Sequence, residues 1–291
     1  MFEWMLEFPE FIQIPLADWI DAIMRWVLHN CGAVFEFISE QIILRILLGI
    51  EKFVLWLPWL LVVLLIGLAG WYTLRRWWAG LLMSAFLVII GSFGYWDFAM
   101  MTLAIIITAV IVSLVIGIPT GITMARSHTA EVVVKPALDA MQTMPVFVYL
   151  IPAMMLFGLG KVPAVFATVV YAVPPVIRLT YLGIQQVPQS VVEAAQAFGS
   201  NSRQILFEVQ LPLAIPSIMV GINQTTMMAL SMVVIASMIG ARGLGYEVIM
   251  AINRCEIGRG FEAGLSIVFL AVIIDRITNA LAVRQEQTVA T

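Results

Sequence analysis

The sequence predicts an all-α polytopic membrane protein, and three observations carry that prediction. Hydrophobic residues make up 62% of the 291-residue chain, against roughly 45–50% in soluble domains. Charged residues are 11%, less than half of the roughly 25% usual in a soluble fold. The apolar residues come in continuous runs, several of them close to the ~20 residues a helix needs to cross a bilayer. Membrane strands would be shorter and strictly alternating. Disorder demands a chain poor in aliphatic residues, and a mean hydropathy of +1.01 excludes it.

Taken in order, the runs give about seven candidate spans. They cover 53–72, 79–95, 98–125, 146–159, 164–182, 214–239 and 263–283. The fourth is short, and Pro145, Pro152 and Pro163 lie in or around it. It is expected to be kinked, tilted or shielded by neighbours. Ahead of the spans, Asp18, Asp21 and Arg25 recur at helical spacing among Ile20, Ile23, Met24, Trp26 and Val27. Glu36, Glu40 and Gln41 then interrupt a second apolar stretch. Residues 1–52 therefore read as amphipathic helices along the membrane surface. The alternative for 11–30, an imperfect span, would place Asp18 and Asp21 in lipid at a cost of several kcal/mol.

Other classes are excluded by what the chain lacks. A net charge of −3 offers no basic face for nucleic acid. Glu3 and Glu7 stand where a secretory signal would be basic, so no signal peptide is expected. His29 and His128 have no metal-ligand spacing to other residues, and no Ser-His-Asp or paired-carboxylate site emerges. No catalytic residue and no metal site are expected. Cys31 and Cys255 are too few for a disulfide framework, although a single bridge between them is open in an oxidising compartment.

The informative segment is the polar connector at 183–213. Pro188 can open a helix, and Ser190 followed by Glu193 has capping-box spacing. Gly199 can take a left-handed C-cap. Ser200 or Asn201 can cap a second helix, which Pro212 is expected to end. The small residues Ala194, Ala195 and Ala197 would let a partner approach closely.

Glu193-Ala194-Ala195, Gly199, Val209, Leu211 and Pro212 resemble the signature loop of permease subunits of ATP-binding-cassette importers, with Val209 where that family usually has Ile. The resemblance implies a type I importer transmembrane domain. Its loop would face the cytoplasm and seat Glu193 to Gly199 on a separate ATPase. The segments 141–149, 239–247, 261–265 and 273–278 are similar to permeases for glycine betaine, proline betaine and related quaternary amines, compatible solutes of osmoprotection. The resemblance covers roughly residues 95–283. It implies a homodimer, two copies of the ATPase and an extracytoplasmic substrate-binding protein. ATP and Mg would sit on the ATPase, with no cofactor bound by this chain.

The implied setting is the cytoplasmic (inner) membrane of a bacterium or archaeon, with residues 1–52 and the N-terminus outside. Residues 53–283 would form the permease domain and 284–291 a short tail. The basic residues split almost evenly between the two sides, so the positive-inside rule gives this orientation little support. Alternative cargoes are choline, carnitine, trimethylamine oxide, methionine, another amino acid or an organosulfonate. Alternative classes are an ion-coupled secondary transporter, which should show midplane carboxylates and repeat symmetry, and a non-transporting scaffold.

Within the sixth span, Asn223, Gln224, Thr225, Thr226 and Met227 are candidates for the translocation path; interhelical hydrogen bonding is the competing reading. Met228 and Met232 could widen such a wall, or simply pack. The turn 240–245 is rich in glycine but lacks the Lys-Ser/Thr of a phosphate loop. It reads as part of an outer gate, where Arg242 either meets a binding protein or snorkels. Asp275 and Arg276 read as a structural pair, and Arg178 as a snorkelling arginine.

Overall fold

A computed structural model describes residues 15–289, with side chains as far as 281. The acidic opening with Glu3 and Glu7 and the side chains of the 284–291 tail lie outside the described residues. Helices make up the fold, and no strand occurs among the described residues.

Helix α1 runs Leu16–Trp56. The two amphipathic stretches expected there form one continuous helix, with a π-helical turn at Ile38–Leu44 inside the second. Its first part buries nothing, whereas Ile43, Leu47, Glu51 and Val54 are buried. The chain breaks at Leu57–Pro58, where proline removes a helical donor, and turns by 98° into α2, Trp59–Leu74. Arg75, in the left-handed region at φ 52°, closes the hairpin to α3, Trp77–Ser92.

These two helices have 16 residues each, short of the ~30 Å hydrocarbon core at ~1.5 Å per residue. Trp56 and Trp59 flank one end of the hairpin, and Trp71, Tyr72, Trp77 and Trp78 the other. Aromatic rings of this kind anchor at membrane interfaces. A Cβ on Gly80 would stand 2.3 Å from the Gly67 carbonyl, so the two backbones touch through glycine, as small-residue packing allows. Outside that seam, Leu60, Leu64, Leu65, Leu68 and Leu81 are exposed, a surface suited to lipid.

Helix α4 spans Trp96–Arg126, and α5 spans His128–Thr143. A 113° bend leads from α5 into α6, Val146–Phe157, whose first turn is 3-10. Helix α7 spans Lys161–Gln185, and the short α8 spans Gln189–Ala197. Helix α9 is continuous over Ser202–Ile239, α10 covers Leu244–Arg254, and α11 covers Ile257–Val289.

By length and composition α4, α7, α9 and α11 each reach across a membrane, and the two bent pairs raise that to six. Helix α3 is a further, shorter apolar helix. Each predicted run lies mainly on an apolar helix, but 53–72 straddles the Leu57–Pro58 break between α1 and α2, and 79–95 and 146–159 run past the ends of α3 and α6.

Helix α7 is the centre of the fold, with 67% of its apolar window buried. Glycines set its approach to both neighbours. A Cβ on Gly117 or Gly121 of α4 would collide with Val176 or Thr180 of α7. A Cβ on Gly183 would meet Ser217 and Ala214 of α9, and one on Gly221 would press on Leu179 and Val176.

Candidate functional site: the helical connector and the two ends of the bundle

The connector is a helix pair outside the spans. Pro188 forms the N-cap of α8 and makes no side-chain capping bond. The Ser190–Glu193 capping box is therefore absent: the helix begins at Gln189, which carries Ser190 past the capping position. Gly199 does take the left-handed conformation, at φ 84°. Its N–H donates to Gln196 O, and Ser200 N–H to Ala195 O, closing the end of α8. Asn201 caps the next helix in a reciprocal box with Gln204.

That helix does not stop at Pro212. It continues as α9 because a π-helical turn at Ile205–Gln210 precedes the proline. The wider turn absorbs the ring and the missing donor within the helix.

Small apolar clusters fix the pair to the bundle. Val187, Val192 and Ile205 pack together with Ala195 against them. Leu206 joins Ile184, Ala214 and Ile218, which ties the connector to the ends of α7 and α9. Glu193, Ala194 and Gly199 stay exposed, Leu211 is half-buried and Pro212 is exposed. Phe198 is 91% exposed. The surface is uncovered, while its base is packed into the bundle.

Helix α5, unforeseen from the sequence, lies at the same end of the bundle. Arg178 does not snorkel; it reaches Asp139 of α5 at 2.5 Å. The Tyr181 hydroxyl donates to Glu131 at 2.6 Å, and Lys135 pairs with the same carboxylate at 2.8 Å. The Lys135 hydrogen bond, helped by Tyr181, holds the Glu131 carboxyl down at about 2. The same bond raises Lys135. The amphipathic sequence of α5 carries the only clue to this latch.

The opposite end is also locked. Glu51 of α1, 8% exposed, accepts both contacts from Lys161 at the start of α7, at 2.6 and 2.7 Å. Gly160 N–H donates to Ile239 O at 2.8 Å, joining α7 to the end of α9. Gly243 offers no side chain to cap α10, and Thr102 of α4 accepts from Leu244 N–H at 2.8 Å in its place. Glu247, 4% exposed, is held by Arg259 at 2.5 Å. Arg242 projects outward between buried Ala241 and Gly243. Cys31 and Cys255 are both free thiols.

The polar run of α9 points in several directions, as consecutive helical residues must. Asn223 donates to Asn279 at 3.1 Å and accepts from the Thr278 hydroxyl; Asn279 donates in turn to Asp275 at 2.9 Å. Gln224 is exposed on the protomer, in a stripe with Val220, Ser231 and Met238. Thr225 and Thr226 are buried, and Met227 is half-buried. Asp275 thus finds its main partner in Asn279; Arg276 stands 4.0 Å away.

Among the described residues no group of His, Cys, Asp and Glu could hold a metal ion.

Comparison with known proteins places this arrangement. The profile of the family described as "Binding-protein-dependent transport system inner membrane component" matches residues 117–289. The glycine betaine/proline betaine permease ProW of Escherichia coli is 46% identical, covering 92% of this chain and 75% of that protein. The glycine betaine permease OpuAB of Bacillus subtilis is 45% identical, covering 94% of this chain and 96% of that one. The trimethylamine N-oxide permease TmoV of Ruegeria pomeroyi is 35% identical over 97% of this chain and 44% of its own length. Among solved structures, a chain of the inward-facing MetNI methionine ABC transporter superposes with a TM-score of 0.56 at 20% identity. The match covers 63% of this chain and 92% of that one, and it establishes a shared fold.

Proposed function

Because the chain belongs to the family of inner-membrane components of binding-protein-dependent transport systems, we propose that it is the permease of an ATP-driven importer for glycine betaine or a closely related quaternary amine. The observation that carries the proposal is the capped helix pair, exposed on Glu193, Ala194 and Gly199 yet packed into α7 and α9. The names of close relatives supply the cargo.

In this reading the connector faces the cytoplasm and α8 seats on a separate ATPase, which alone binds ATP and Mg. Two ATPase copies serve a homodimer of this chain. Movement of α8 passes through the Val192 and Leu206 clusters into α7 and α9. The face of α9 bearing Gln224 and Met227 lines the path against the second copy. Asn223, Thr225 and Thr226 shape the helix behind it. Arg242 and the 240–245 turn belong to the outer gate, beneath an extracytoplasmic binding protein. Residues 1–52 lie outside, 53–283 form the permease domain, and 284–291 end in the cytoplasm.

The test is uptake of labelled glycine betaine into proteoliposomes containing this chain, its ATPase and its binding protein. ATP-dependent uptake that proline betaine competes supports the reading. ATP-dependent uptake of choline, trimethylamine oxide or methionine in its place would move the cargo. Uptake driven by an ion gradient alone would overturn the class.

A further inference from the structure

The α2–α3 hairpin does not pack flush on the bundle. Phe86 of α3 stacks on Phe269 of α11, with ring centroids 4.4 Å apart and planes 10° from parallel. The next residue on each helix, Leu87 and Leu270, already faces a gap. A cavity of about 160 Å³ separates Val62 of α2 and Leu87 from Met100 of α4 and from Leu270 and Ile273 of α11. All five side chains are buried. Protein interiors are close-packed, and voids larger than a water molecule are few.

The chemistry of the cavity excludes water. Among the described residues on its wall only Thr278 is polar, and its hydroxyl is already hydrogen-bonded to Asn223 and to the Ile274 carbonyl. A buried water needs two to four polar partners, and an apolar cavity stays dry. An engineered apolar cavity of about 150 Å³ takes up benzene, so this one has room for roughly six carbons. Left empty, its walls would lack dispersion partners on one side.

Its position supplies the hydrocarbon. Val62, Ile66 and Leu87 lie between the two aromatic ends of the hairpin, nearer the end with Trp56 and Trp59. Rings of this kind mark the membrane interfaces, so the cavity falls within the hydrocarbon layer. Ile66, Leu103, Ile274 and Ile277 also line it and are only half-buried, so the space reaches the surface of the bundle. The same hairpin turns Leu60, Leu64, Leu65 and Leu68 outward. At this depth the apolar solute that meets the opening is the acyl chain of a lipid.

We propose that the cavity holds one acyl chain of a membrane phospholipid, taken from the leaflet at the Trp56–Trp59 end and wedged between the hairpin and helices α4 and α11. The chain completes the packing that the Phe86–Phe269 stack begins, and lipid thereby fastens the hairpin to the bundle. The site depends neither on the cargo nor on the ATPase.

Photo-cross-linking tests it directly. The protein, purified with the subunits that accompany it, is reconstituted in nanodiscs of phosphatidylglycerol carrying a diazirine in the middle of one acyl chain. Mass spectrometry then locates the labelled residues. The site predicts labelling of buried Met100 and Leu270 as well as of exposed Leu64. Leu87→Trp fills the cavity and should lower labelling of Met100 and Leu270 at least about five-fold, with Leu64 unchanged. Labelling of Leu64 alone in the wild type overturns the proposal, and so does equal labelling of Met100 and Leu270 in the two proteins.

A second measurement reads the fastening. Ile273→Phe fills the same space from α11 and carries both tests should Leu87→Trp not fold. Stripping lipid with detergent should lower the melting temperature of the wild type at least about 5 °C more than that of a filled variant. Equal losses in the two would overturn the role of lipid in holding the hairpin.

Discussion

At the scale of single residues, the fold rests on a few positions where one atom decides the outcome. Gly199 is one. Its φ of 84° closes α8, and no neighbouring atom lies within 4 Å of an added Cβ. A Gly199→Trp side chain would therefore project into the docking surface, with a left-handed strain of about 1–2 kcal/mol. The chain should still fold, and ATP hydrolysis should lose its link to uptake. Lys161 is another. Lys161→Met leaves Glu51 buried without its partner, which typically costs about 3–5 kcal/mol. Thermal unfolding in detergent should show that loss, and the Glu51→Gln/Lys161→Met double variant should recover most of it. A single variant as stable as the wild type would mean that Glu51 finds another partner.

At the scale of elements, α5 makes the clearest pH prediction. Lys135 and Tyr181 hold the Glu131 carboxyl at about 2 against its ordinary 4.5. A depressed carboxylate stabilises the fold fully above its ordinary value, and the contribution disappears as pH falls through the folded value. The melting temperature should thus fall between about pH 4.5 and pH 2, and Glu131→Gln should remove that part of the slope. An unaltered slope would place the acid sensitivity elsewhere. The α2–α3 hairpin makes a second prediction. Gly80→Val sets a Cβ against the Gly67 carbonyl, and overpacking of this kind costs about 1–3 kcal/mol. Cysteines introduced across the Gly67–Gly80 contact should cross-link less readily in that variant.

Sequence reasoning reached some elements and missed others for identifiable reasons. The seven apolar runs were readable because lipid demands unbroken hydrophobic length. The ends of α8 and the start of α9 were readable because Gly199 and Asn201 are local signals. Pro212 misled, since a π-helical turn lets a helix pass through a proline and leaves no mark in composition. The two amphipathic stretches before the spans read as separate because His29, Asn30 and Gly32 interrupt the apolar pattern between them, although the helix runs through. Helix α5 was missed because much of its polar face finds its partners, Arg178 and Tyr181, on another helix. The pairs Glu51–Lys161 and Glu247–Arg259, 110 and 12 residues apart, likewise depend on tertiary packing.

At the scale of the whole molecule, the chain is a bundle with two locked ends and a central helix running between them. One end joins α1, α7 and α9 through Glu51–Lys161 and Gly160; the other joins α5, α7 and the connector. The multi-pass membrane architecture follows from the apolar helices and from the family. In the proposed importer, force applied at Glu193 to Gly199 travels through this frame to the outer gate. The most direct test measures ATP hydrolysis and betaine uptake in the same proteoliposomes, for the wild type and for Gly199→Trp. The account predicts that wild-type hydrolysis and uptake rise together, and that the variant binds its ATPase yet hydrolyses ATP without uptake. Normal uptake by the variant would contradict the assignment of α8 as the coupling element.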